Sequence, residues 1–213
     1  MMLTRRFLCL FLSAMCVTAA SGASAQQLID RVVARVNGAA ITMTDVRAAI
    51  ALGIVDVMPG DDQIAMAVQQ LIDRQLLLAE MARFPPPEPP ATDVEKQLAA
   101  YKTHAGAQLP SIMQSTGLDE QRLRQAARDT VRIRAYLVQR FGTASVVTDE
   151  EVQQYYAAHR AEFTRDGRVR PLEDVESDVR QRASAERRGA IIAQWIRDLR
   201  GRAEVVEVQG PIR

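Results

Sequence analysis

The chain has 213 residues, with 27 Lys and Arg against 26 Asp and Glu, 47% hydrophobic residues and only 5% aromatic ones. A formal net charge of +1 leaves no electrostatic footprint for nucleic acid or an anionic membrane surface, and the length suits one sizeable domain. The two cysteines, Cys9 and Cys16, both lie near the N-terminus, so the rest of the chain has no thiol nucleophile, disulfide or thiolate metal site.

Residues 1–25 read as a secretory signal peptide. Arg5 and Arg6 precede an apolar run over 7–17, and the small residues Ala23, Ser24 and Ala25 set the expected cleavage ahead of Gln26. The arginines abut the apolar run without the rest of a twin-arginine motif, so export in unfolded form is expected. Met15 is too bulky a neighbour for Cys16 to be a lipid anchor. Residues 26–213 then carry 25 basic and 26 acidic side chains, and no later run approaches the length of a membrane span. The expectation is a periplasmic protein with no stable membrane insertion after cleavage.

The mature chain opens on a strand pattern. Val32, Ala34 and Val36 alternate with Val33 and Arg35, and Asn37-Gly38 supplies the two positive-φ positions of a type I′ hairpin turn. Thr42 and Asp45 have the spacing of a capping box, which hands the return strand over to a helix. A lone hairpin is marginal in water. The other strand candidate is residues 204–208, so the two ends of the mature chain are expected to meet in one small sheet that closes the helical middle.

Val46, Ala49, Ile50 and Gly53-Ile54 mark a first helix that ends before Met58-Pro59-Gly60. Asp61-Asp62 is expected to cap a longer helix to about Phe84. Its apolar positions, including Ile64, Val68, Leu71, Ile72, Leu76 and Leu78, cover more than one face, which predicts a central pillar. Residues 85–90, Pro-Pro-Pro-Glu-Pro-Pro, form a stiff extended spacer. Thr92 and Glu95 predict a second capping box and a helix to about His104. A short helix over 109–116 should stop at Gly117. Asp119 opens a long one to Phe141, with Leu123, Ala127, Val131, Leu137 and Val138 as its apolar face and a solvated arginine flank. Thr148 and Glu151 make a third capping box for a helix over 152–163 containing Tyr155 and Tyr156. A loop is expected over 164–171, and a very long amphipathic helix from Leu172 to near Gly201.

Chemistry-bearing groups are sparse. His104 and His159 fall on different predicted helices with no partner in reach and read as structural, and no Ser-His-Asp set or phosphate-binding glycine loop is present. No catalytic residue, metal ligand or cofactor is expected. The residues therefore point to binding by an exported, charge-neutral helical body.

In order and spacing these segments resemble the SurA-type periplasmic chaperones, the SurA N-terminal-like domain family. The likeness is carried by residues 33–42 with Asp45, residues 71–80, Gly117-Leu118-Asp119 with Leu123 and Arg124, residues 147–152 leading to Tyr155-Tyr156, and residues 171–175 leading to Trp195. The resemblance implies a mainly α fold, a trigger-factor-like peptide-binding architecture. In it a short N-terminal β-hairpin is joined by a C-terminal strand, with 26–163 as hairpin and helical part and 171–208 as long helix and returning strand. Relatives commonly insert parvulin-type prolyl isomerase domains between the Tyr-Tyr helix and the Pro171 segment, where this chain has only 164–170. The proline spacer is a second departure. The implied activity is that of a holdase for unfolded outer-membrane proteins or other extended apolar polypeptides. Ile54, Val55, Val57, Met58, Leu109, Ile112 and Met113 are the candidate peptide-binding residues, for their flexible apolar character outside the obvious core stripes. The competing readings are a prolyl isomerase and an envelope-assembly subunit with one fixed partner.

Overall fold

The computed structural model of the protein describes residues 30–143 and 146–208; the expected signal peptide lies outside them. Strands β1 (Val32–Val36) and β2 (Ala39–Thr42) pair antiparallel. The turn between them holds Asn37 at φ 50° and Gly38 at φ 84°, the double left-handed geometry of a type I′ turn. At the other end of the chain, strand β5 (Val205–Glu207) pairs antiparallel with β1. The sheet order is β2-β1-β5, as the two terminal strand patterns predict. Asn37 fastens the closure, since its amide donates to the Glu204 carbonyl at 2.8 Å and its side-chain oxygen accepts from the Glu204 amide at 3.1 Å.

The Thr42 capping box forms: Thr42 Oγ1 accepts from the Asp45 amide at 3.2 Å, and the Asp45 carboxylate accepts from the Thr42 amide at 2.9 Å. Helix α1 (Met43–Ala51) stops earlier than the proline at 59 requires, because the chain turns through Gly53 at φ 65°. Helix α2 (Gln63–Arg83) is the pillar expected, burying Ala67, Val68, Ile72, Leu76, Leu77 and Met81 against the hairpin and neighbouring helices. Each fully buried Leu, Ile or Met there contributes about 1.5–3 kcal/mol. Asp62 stands at its N-cap but makes no side-chain cap bond, so the acidic pair does not close the helix end.

The proline segment is followed by α3 (Ala91–Ala105), whose N-cap is Pro90 and not a capping box. Pro90, at φ −55° and ψ 139°, starts the helix directly after it and leaves Thr92 inside the first turn. Pro86 is buried and Glu88 pairs with Arg128 at 2.7 Å, so the segment is strapped along the next long helix. Helix α4 (Leu109–Thr116) ends at Gly117 in the left-handed conformation, φ 64°.

Helix α5 (Glu120–Phe141) is capped by Asp119, whose carboxylate accepts from the Arg122 amide at 2.7 Å. Its buried face corrects the sequence reading. Leu123 and Ala127 are buried as expected, but farther along it is Ile133, Tyr136 and Phe141 that turn inward, while Val138 is 62% exposed. One helix serves two cores: its first half packs with α3 and α4, its second with α2 and the C-terminal helix. A single straight stripe extrapolated from Leu123 misses that change of partner.

Helix α6 (Asp149–Ala158) begins at the Thr148–Glu151 capping box and ends at Ala158, before a 3-10 turn over Arg160–Phe163. The expected loop after it is a miniature hairpin, β3 (Thr164–Arg165) and β4 (Arg168–Val169), turning through Asp166 at φ 52° and Gly167 at φ 75°. Helix α7 (Leu172–Arg202) then runs back to β5. The fold is mainly helical with a small antiparallel sheet. Among the described residues no helix is long and apolar enough to cross a membrane.

Candidate functional site

The hairpin, α1, α2 and the corner between α4 and α5 enclose a groove of about 340 Å³, at the low end of the roughly 300–1,000 Å³ typical of binding sites. Its apolar wall is made by Ile41, Leu52, Ile54, Leu71, Leu78 and Leu118. Local rules place each of them. Leu71 and Leu78 stand seven apart on one face of α2. Ile54 is folded back under α1 by the turn at Gly53, with its amide donating to the Ala49 carbonyl at 2.8 Å. Leu118 follows the Gly117 helix stop. Gly53 is required twice over, because a Cβ there would lie 2.9 Å from the His104 ring and the backbone is left-handed.

Charged groups at the groove are engaged in holding it together. Arg74 donates to the Thr130 hydroxyl at 2.9 Å and to the Ala126 carbonyl at 3.0 Å, and the Thr130 and Tyr101 hydroxyls share a hydrogen bond of 2.6 Å. Burial pushes the Arg74 guanidinium below its ordinary pKa, against the opposing pull of Tyr101 and Asp129. Asp45 is committed to the α1 cap. What remains on offer is apolar surface, and beside it β2, which among the described residues is an edge strand with no neighbour on its outer side. Such a site suits an extended chain with apolar side chains. Among the described residues no cluster of His, Cys, Asp and Glu is placed to hold a metal ion.

Of the seven sequence-predicted residues, Ile54 alone lines this groove. Val55 is buried in the main core and Val57 packs against it, while Ile112 is buried in the second core with Leu109 against it. Met113 is half-buried, and Met58 stands 76% exposed on the loop before α2. The structure thus disperses them. Leu71 and Leu78 were legible as part of the wide α2 stripe, and their half-buried state is what separates groove from core. The histidines also have neighbours. His159 stacks on Tyr155 with ring centroids 4.0 Å apart, its Nδ1 lies 2.9 Å from the Tyr155 carbonyl, and its Nε2 lies 4.0 Å from Glu186.

No protein-family model matches the chain, and no curated protein matches it.

Proposed function

We propose that the protein is an exported holdase, similar to the SurA-type chaperones, that grips extended apolar stretches of unfolded outer-membrane proteins. The observation that carries the reading is the groove itself: half-buried leucines from α2 and the α4–α5 corner, set beside a sheet edge that no strand covers among the described residues. An apolar wall tolerates many sequences, and an edge strand recognises backbone, which all clients share. The sheet closed by both ends of the chain, with helices between, supports it further. The connection from α6 to α7 also supports binding over proline isomerisation, since it consists of a single turn and a hairpin of two-residue strands where SurA-type chaperones commonly carry an isomerase domain.

Residues 26–213 are expected to suppress aggregation of a urea-diluted outer-membrane protein, and Ala48→Glu, which places a charge in the groove wall, to weaken that suppression about tenfold. No suppression by the unaltered protein at several-fold molar excess overturns the proposal.

A further inference from the structure

A second cavity, of about 480 Å³, opens where α2 gives way to the proline segment, lined by Arg83, Phe84, Pro85, Tyr136, Gln139 and Arg140. Tyr136, Gln139 and Arg140 stand at i, i+3 and i+4 on α5 and so share a face. Arg83 is the last residue of α2, Phe84 caps it at φ −133°, and the prolines prevent the helix from continuing. Phe84 is left 62% exposed, an unusual position for a large ring.

Arg140 is held differently from most arginines here. Its guanidinium lies 4.9 Å over the Trp195 ring and 5.6 Å from the Phe141 ring centre, both rings being buried. Stacking uses the face of the guanidinium and leaves its N–H edges. The hydrogen bond it makes is a long one, Nη1 to the Tyr136 hydroxyl at 3.5 Å, and among the described residues no carboxylate stands within ion-pair distance of it. By contrast Arg128 meets Glu88, Arg180 meets Asp149 and Arg200 meets Asp73, all within 2.7 Å. Among the described residues the carboxylate that Arg83 reaches is that of Glu80, at 4.0 Å. Among the described residues no acidic side chain lines the cavity. The last turns of α2 and α5 present carbonyls nearby, so any preference for an anion comes from the guanidinium forks and not from a helix dipole.

We infer that this cavity is a subsite for a carboxylate adjacent to an aromatic side chain on a bound polypeptide. Arg140, fixed on its aromatic platform, takes the carboxylate through its free N–H edge with Arg83 assisting, and the ligand ring packs on Phe84 and Pro85. The inference rests on the polypeptide-binding reading above and adds an anchor that the groove, whose arginine is already engaged, does not supply. The carboxylate has two possible sources, the free end of a chain or an Asp or Glu next to an aromatic residue.

Fluorescence anisotropy with three labelled peptides of one apolar sequence separates the outcomes: one ending in Phe with a free carboxylate, one ending in Phe amide, and an amide with Asp before the Phe. At least one carboxylate peptide should bind about tenfold tighter than the plain amide, and added salt should narrow the gap. A gain for the first assigns chain ends, and a gain for the third assigns acidic side chains. Arg140→Gln should abolish the discrimination, and Arg83→Gln should reduce it. Equal affinities for all three peptides, or discrimination surviving in both arginine variants, overturns the subsite. Those results with client suppression intact sink the subsite alone, whereas loss of suppression by the unaltered protein sinks the holdase reading beneath it.

Discussion

The two halves of α7 lie in different proteins, energetically speaking. Trp195 and Leu199 enter the main core, where Trp195 meets Tyr136 at 6.1 Å and Phe141 at 5.2 Å and the hairpin, α1 and α2 add their own buried side chains. Val175, Val179 and Ala183 enter a small separate cluster with Val147, Val152 and Phe163. That cluster is laced by exposed ion pairs, Arg180 to Asp149 and Arg182 to Glu162 at 2.7 Å each and Arg187 to Glu151, which water and salt screen. Between the halves sits Gly189, with open space where a Cβ would project. The body is held by buried area and can serve as a fixed wall for the groove. The α6–α7 arm is held by a smaller buried cluster and by surface ion pairs, so it is expected to open at lower cost than the body.

The comparison is broken most severely from the body side. Trp195→Ala should cost about 3–5 kcal/mol and lower the whole melting transition, because it empties the junction of α2, α5 and α7. Arg200→Ala comes next. Arg200 donates to Asp73 at 2.6 Å and to the Gln69 side chain and carbonyl at 2.6 and 2.9 Å, and Gln69 in turn donates to Glu207 at 3.1 Å, so one guanidinium ties α7 and β5 to α2. A loss of about 1–3 kcal/mol is expected in denaturant unfolding, with amide protection falling first at β5.

On the arm side, Val179→Ala removes two buried methyl groups and should cost about 2 kcal/mol. The signature is local: hydrogen-exchange protection falls over α6 and the first half of α7 while α2 is unchanged. Gly189→Ala sharpens the comparison in the other direction, since it adds helix propensity where nothing clashes and should stabilise by about 0.5–1 kcal/mol. The smallest effect is acid. The Thr148 amide, with Arg187 behind it, holds the Glu151 carboxyl below its usual pKa of 4.5. A depressed folded pKa means the contribution is complete above the ordinary value and is lost as pH falls through the folded one. NMR shifts at the start of α6 should therefore report fraying in acid before those of α2 do.

Much of the fold was legible because many of its devices are local. Asn37-Gly38, the Thr42 and Thr148 boxes, Asp119 and Gly117 all do what their residue types dictate over three or four positions. The end-to-end sheet followed from one inference, that a hairpin cannot stand alone. What escaped was tertiary. The inward turn of Ile133 and Tyr136 depends on α5 changing partners midway, which no single helical period encodes. The start of α3 at Pro90 defeated a Thr-x-x-Glu pattern that reads identically on either side of a helix boundary. The candidate site was least legible, because whether Leu71 or Val55 faces a groove or a core depends on how far α1 reaches, and Gly53 shortened it.

Under the proposed holdase function, the groove beside β2 receives the client. Hydrogen exchange of the protein with and without an unfolded outer-membrane protein tests it most directly. Added protection is expected along residues 39–54 and 71–78, with the α6–α7 arm unchanged. Protection confined to the arm, with those stretches exchanging as in the free protein, would contradict it.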